Sequence, residues 1–112
     1  MGQYLLVKRQ NEPLKGEWWV PGGRVYKGEK LECSIRRKVK EELGIKINNV
    51  IPLGYYEDKF DKNPLKVESG LHTIGIVFQA EPKSLCIKLD KQSGDWKFFD
   101  KLPQRLVIKP FL

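Results

Sequence analysis

The residues best suited to chemistry in this sequence lie between Gly23 and Ile45, in the stretch GRVYKGEKLECSIRRKVKEELGI. From Lys30 to Leu43 the apolar residues Leu31, Ile35, Val39 and Leu43 recur every four positions, which predicts the buried stripe of a helix over 30–43. Gly44 supplies the stop. At about 100° per residue, Arg37, Lys38, Glu41 and Glu42 form a charged strip along one edge of that stripe. Glu42 falls nearly in line with the apolar residues, a costly place for a carboxylate unless a cation or hydrogen bonds satisfy it. Such a strip suits a hard divalent cation, which takes oxygen ligands from carboxylates, waters and phosphates. A glycine-rich loop beside it, here Pro21-Gly22-Gly23, can add a backbone carbonyl. The bound ion would neutralise a diphosphate and stabilise it as a leaving group. Taken by itself, a helix rich in lysine and glutamate is also an ordinary solvated face.

The elements that must hold these residues can be read from pattern. Strands are expected at about 3–9 and 17–20, the latter running Trp18-Trp19-Val20 into the Pro-Gly-Gly turn. Further strand-like segments follow near 46–57, 72–81 and 95–100, with a short helix expected after Pro103. The polar, turn-rich stretch 58–71 suits a mobile loop facing the substrate. Trp18, Trp19, Trp96, Phe98 and Phe99 read as packing residues.

With its spacing from Gly23 to Gly44, the segment resembles the Nudix signature G-x5-E-x7-R-E-U-x-E-E-x-G-U, where U is aliphatic. Gly23, Glu29, Arg37, Glu41, Glu42 and Gly44 stand in register, and Lys38 replaces the glutamate after the arginine. The likeness extends to GQYLLVKR before the box and WKFFDKLP after it, and so to most of the chain. It implies one Nudix domain over 1–112 (box 23–45), an α/β/α sandwich with a mixed sheet. Within the superfamily the run KR…GEWWVPGGRVYKGEKLE looks most like the GDP-mannose mannosyl hydrolases, which also lack the glutamate after the box arginine. Those enzymes attack the anomeric carbon and release the nucleoside diphosphate, whereas most of the superfamily attacks phosphorus.

The resemblance implies a Mg²⁺ site, with Mn²⁺ as the alternative ion. Glu42 would be the principal ligand and a catalytic residue, joined by the carbonyl of Gly22 or Gly23, by Gln92 and secondarily by Glu41. Arg9 and Arg24 would be catalytic in binding the substrate diphosphate, a task for a planar guanidinium fork. Glu29 and Arg37 would form a structural pair tying the loop to the helix. Lys38 would weaken binding of a second cation if it lies beside the metal, and otherwise forms a helix pair with Glu42. The expected partner is a nucleotide-sugar or other nucleoside diphosphate derivative.

Two departures stand against the mannosyl hydrolase pattern. The histidine that follows the metal-binding glutamine there is Ser93 here, and serine does not accept a proton at neutral pH in that role. His72 reads as a strand-entry residue, which leaves Glu57, Asp58, Asp61, Glu68 and Asp95 as candidate bases. The sequence also opens at the turn that precedes the family's second strand. It is therefore expected to be a shortened domain, or one whose strand edge at Leu5 and Val7 is covered by a partner chain such as a second copy. The alternatives to nucleotide-sugar hydrolysis are a pyrophosphohydrolase of other nucleoside diphosphate derivatives and a catalytically weak nucleotide-binding module.

Composition narrows the class further. A chain of 112 residues supports one core. No apolar run approaches the ~20 residues of a membrane span, no signal peptide opens the sequence, and there is no Cys/His cluster for zinc. Cys33 and Cys86 read as free thiols in a reducing compartment, so a cytoplasmic location is expected. The net charge of +7 attracts polyanions. Its lysines are scattered rather than clustered with aromatics, so a nucleotide is expected as partner in preference to nucleic acid.

Overall fold

The computed structural model describes residues 3–11, 14–60 and 71–111. The elements run β1 (Tyr4–Arg9), β2 (Trp18–Trp19), α1 (Leu31–Leu43), β3 (Ile47–Phe60), β4 (Leu71–Pro82) and β5 (Ser93–Phe99). One sheet has the order β2-β1-β5, and β3 pairs with β4 in a second; the recorded pairings are antiparallel. This is an α/β architecture in which the helix follows the loop after β2 and precedes the long hairpin.

The helix forms where the period of four predicted it. Glu32 in its first turn and Lys40 in its last complement the helix dipole. Gly44 closes it at φ 70°, the left-handed conformation that glycine adopts without a Cβ penalty, its N–H donating to the Lys40 carbonyl. Val39 and Leu43 join Val7, Ile45 and Ile47 in the core, with Ile35, Leu89 and Trp96 packed against them. Leu31 departs from expectation: it is exposed at the start of the helix, a full turn short of that cluster.

Of the edge expected to be open at Leu5 and Val7, β2 covers the Val7 part: Val7 is buried between β2 and β5, and on the β2 side the recorded pairs reach only Val7 and Lys8. One further expectation is corrected. The segment after Pro103 forms no helix among the described residues. Leu106 closes a turn onto the Pro103 carbonyl, and Lys109 exchanges both backbone hydrogen bonds with Tyr55 of β3, so pairing takes up the groups a helix would use. The Arg105 guanidinium holds that turn against the hairpin through Asp58, 3.1 Å away, and over the Phe60 ring. The strands also run past their predicted ends, to Phe60 and from Leu71. Residues 61–70 of the expected loop, with Asp61 and Glu68, lie outside the described residues.

The aromatics pack as predicted: Trp18 against Phe99, Trp96 against Phe98, and Trp19 edge-on to Tyr56 at 5.8 Å between ring centroids. Tyr56 faces Gly75 across the hairpin, and its ring occupies the space a Cβ at Gly75 would need. Gly75→Ala should therefore push the ring off Trp19 and cost about 1–3 kcal/mol of stability, as overpacking does. Urea denaturation followed by tryptophan fluorescence checks this, and an unchanged midpoint would mean the ring has room to move.

Candidate functional site

The site is assembled by one helix edge, the loop that precedes it, and a crossing segment that follows β4. Glu42 lies on the core-facing edge of α1 and is only 5% exposed. Burial pushes its carboxyl up to about 7, with Lys38, the Gly22 N–H and Arg9 pulling the other way and Asp90 adding to the rise. The Gly22 N–H donates to Glu42 Oε2 at 3.2 Å, which fixes the turn of the Pro-Gly-Gly loop over the carboxylate. The buried acid thus faces a turn tight enough to bring backbone to it.

Lys38 lies in the same place. Its Nζ is 3.5 Å from Glu41 Oε1 and 3.9 Å from Glu42 Oε1, and its side chain is 13% exposed. The end of its stem passes over Gly23, in the space a Cβ there would occupy. Of the two roles expected for Lys38, the helix pair with Glu42 is the one observed, at a spacing of four residues.

Arg37 organises the other side of the loop. Its Nε donates to Glu29 Oε2 at 2.7 Å and its Nη2 to Glu29 Oε1 at 3.0 Å, a fork-to-fork pairing. Nη2 also reaches the Arg24 carbonyl at 2.9 Å, and Nη1 reaches both oxygens of Glu41. The guanidinium stacks 3.7 Å from the Tyr26 ring centroid, and the Tyr26 N–H donates to Glu29. Arg37 thereby ties residues 24–29 to the helix. The Arg37 hydrogen bond, followed by that from the Tyr26 backbone, holds the Glu29 carboxyl at about 2, below its ordinary 4.5. A depressed carboxyl contributes stability that is present above its unfolded value and lost as pH falls through the folded one. Wild-type melting temperature should therefore drop more steeply than that of Glu29→Gln between pH 4.5 and about 2. Parallel acid-melting curves would show the pair adds nothing.

Arg9 ends β1 opposite Ser93, and its positive charge is felt at both Glu42 and Tyr56. Arg24 is exposed on the loop, its carbonyl held by Arg37. Gln92 is exposed too; its N–H donates to Asp90 Oδ1, and its carbonyl accepts from Gln10. Ser93 is buried. Among the proposed bases, Glu57 pairs with His72 at 3.7 Å on the hairpin, Asp58 is engaged by Arg105, and Asp95 accepts the Trp96 N–H.

Sequence reasoning passed over Asp90. The segment after β4 crosses the end of the helix, with Lys88 N–H donating to the Leu43 carbonyl and Asp90 N–H to that of Glu42. This brings the Asp90 charge to bear on Glu42. The only available signal was its position two residues before Gln92.

Among the described residues, no group of three or more His, Cys, Asp and Glu side chains forms a ready metal cluster. Mg²⁺ does not need one, since it is held by one or two carboxylates with waters and substrate phosphates. A buried carboxylate raised by burial, beside a second carboxylate and the glycine turn, is a hard-oxygen donor set that fits one such ion. No described helix is long and apolar enough to cross a membrane. Glu17, Trp19, Pro103, Gln104 and Arg105 line an open pocket of about 430 Å³.

The profile of the NUDIX domain matches residues 1–101. The chain is 33% identical over 99 residues to the low-salt glycan biosynthesis protein Agl8 of Haloferax volcanii, covering 88% of this chain and 64% of that protein. It is 36% identical over 98 residues to the ADP-ribose pyrophosphatase of Methanocaldococcus jannaschii, covering 86% of this chain and 53% of that one. It thus spans less than two thirds of the length of either relative. The crystal structure of a MutT NUDIX hydrolase from Burkholderia pseudomallei superposes with a TM-score of 0.67 at 28% identity, over 95% of this chain and 81% of that one.

Proposed function

The chain belongs to the Nudix family, and on that premise we propose that it is a Mg²⁺-dependent hydrolase of a nucleoside diphosphate joined to a sugar, GDP-mannose being the first candidate. The observation that carries this is Glu42, a buried carboxylate roofed by the Gly22 N–H and flanked by Glu41. One relative is named for glycan biosynthesis and another for ADP-ribose, both consistent with a substrate that couples a nucleotide to a sugar. The exposed thiols of Cys33 and Cys86 suit a reducing compartment and hence a cytoplasmic setting.

In this reading Glu42 is the principal metal ligand, with Glu41, a carbonyl of Gly22 or Gly23, and Gln92 completing the donor set. When bound, Mg²⁺ neutralises the diphosphate and stabilises it as it leaves. Arg9, whose charge already reaches Glu42, binds the diphosphate from the β1 side, and Arg24 does so from the loop. Glu29 and Arg37 hold that loop in place. Asp90 supplies a carboxylate where Ser93 offers no base, and it orients water beside Glu42. A second reading, a nucleotide-binding module with weak chemistry, is favoured by the Lys38 ammonium lying between the two carboxylates.

Product analysis with GDP-mannose and ADP-ribose, Mg²⁺ and ¹⁸O-water tests the reading. Label in free mannose beside unlabelled GDP means attack at carbon. GMP and mannose 1-phosphate, or AMP and ribose 5-phosphate, mean attack at phosphorus and the pyrophosphohydrolase alternative. Binding without metal-dependent product for either substrate would favour the module.

A further inference from the structure

Lys38 is the residue at this site whose placement the proposed reaction does not account for. Its ammonium is drawn between Glu41 and Glu42, and its stem lies against Gly23, whose lack of a side chain leaves room for it. The two contacts, 3.5 and 3.9 Å, are longer than the roughly 2.7–2.9 Å of a tight ammonium–carboxylate hydrogen bond. The ammonium therefore balances charge without being locked in place. Lysine carries it on a flexible four-carbon stem, which lets it move while remaining tethered to the helix.

We propose that Lys38 is a built-in monovalent cation of the site: a divalent ion reaches Glu42 only by displacing the ammonium, and the displaced ammonium bars a second ion from Glu41. The consequence is a one-ion site whose affinity is set by competition with the protein's own side chain. The inference rests on the metal-binding reading above and on the expectation that Lys38 disfavours a second cation, and adds to them the competition at Glu42 that sets the affinity of the first. The Glu42 side chain, 7% exposed, has few waters to screen it, so an ammonium at this range counts more here than on an open surface.

Mn²⁺ titration of the purified chain, followed by calorimetry and by the electron paramagnetic resonance of free Mn²⁺, tests this without any turnover. The wild type should bind one ion weakly. Lys38→Met should bind one ion at least about tenfold more tightly, as expected when one positive charge within about 4 Å is removed from a shielded site. Lys38→Glu, which adds a carboxylate in place of the ammonium, should bind two. Lys40→Met removes the same charge from an exposed position on the same helix and should change affinity by less than about threefold, because exposed charges are screened. Equal affinity in wild type and Lys38→Met, or an equal gain in Lys40→Met, would overturn the proposal while leaving the metal reading intact. Absence of Mn²⁺ binding in wild type and Lys38→Met alike would overturn both.

Discussion

Glu42→Gln is expected to lower metal-dependent turnover by roughly 10³-fold or more, since loss of an outer-shell partner alone costs 10–100-fold and this residue is assigned to the metal itself. The same change should leave the metal-free fold at least as stable as before. Glutamine keeps the shape of the side chain, and its carbonyl can still accept the Gly22 N–H that now reaches Glu42 Oε2. It also removes the cost of holding a carboxylate where burial has pushed its titration up to about 7. A purely structural glutamate at this position would behave the other way, losing stability and activity together. Thermal melts at pH 8 in chelator, set beside initial rates over a Mg²⁺ series, separate the two. A variant that melts well below wild type, or that keeps more than a tenth of the rate at saturating Mg²⁺, would remove Glu42 from the centre of the site.

Much of this arrangement was legible because it is local. The period of four from Leu31 to Leu43 and the glycine at Gly44 define a helix without reference to the rest of the chain, and the observed element is Leu31–Leu43. Glu29 and Arg37 lie on either side of the loop–helix junction, so their meeting needs only that junction to fold. Leu31 and Asp90 show where locality ends. Leu31 shares the apolar spacing, yet the core reaches only as far as Ile35 along the helix. Asp90 reaches the site through backbone hydrogen bonds from Lys88 to the Leu43 carbonyl and from Asp90 to that of Glu42, and such bonds use no particular side chain and leave no pattern in sequence. The end of the chain fails for the same reason: a turn at Pro103–Leu106 and a bridge from Lys109 to Tyr55 are settled by the distant strand they meet. Lys38 is intermediate. Its spacing of four from Glu42 was visible, but not that Gly23 leaves room for its stem.

Arg37→Lys should be the other large effect, although it conserves charge. Arginine here makes contacts that require a planar fork: both Glu29 oxygens through Nε and Nη2, the Arg24 carbonyl through Nη2, and Glu41 through Nη1. The same plane stacks on Tyr26. A lysine ammonium is a point donor on a shorter reach and can serve one of these partners at a time. The loop at 24–29 would then lose its tie to the helix, and the glycine turn that positions backbone over Glu42 adjoins that loop. Since a displacement of about 1 Å at a reacting centre can cost about 10²-fold in rate, turnover should fall by about that factor with far-UV circular dichroism unchanged. Mg²⁺ dependence should shift to higher concentration as Glu41 loses its partner. Glu29→Gln should act in the same direction, and in combination with Arg37→Lys it should add little, because both break one contact. Additive losses in that cycle would mean that Glu29 and Arg37 serve the site separately; a rate for Arg37→Lys within threefold of wild type would mean that the Tyr26–Glu29 backbone pairing holds the loop unaided.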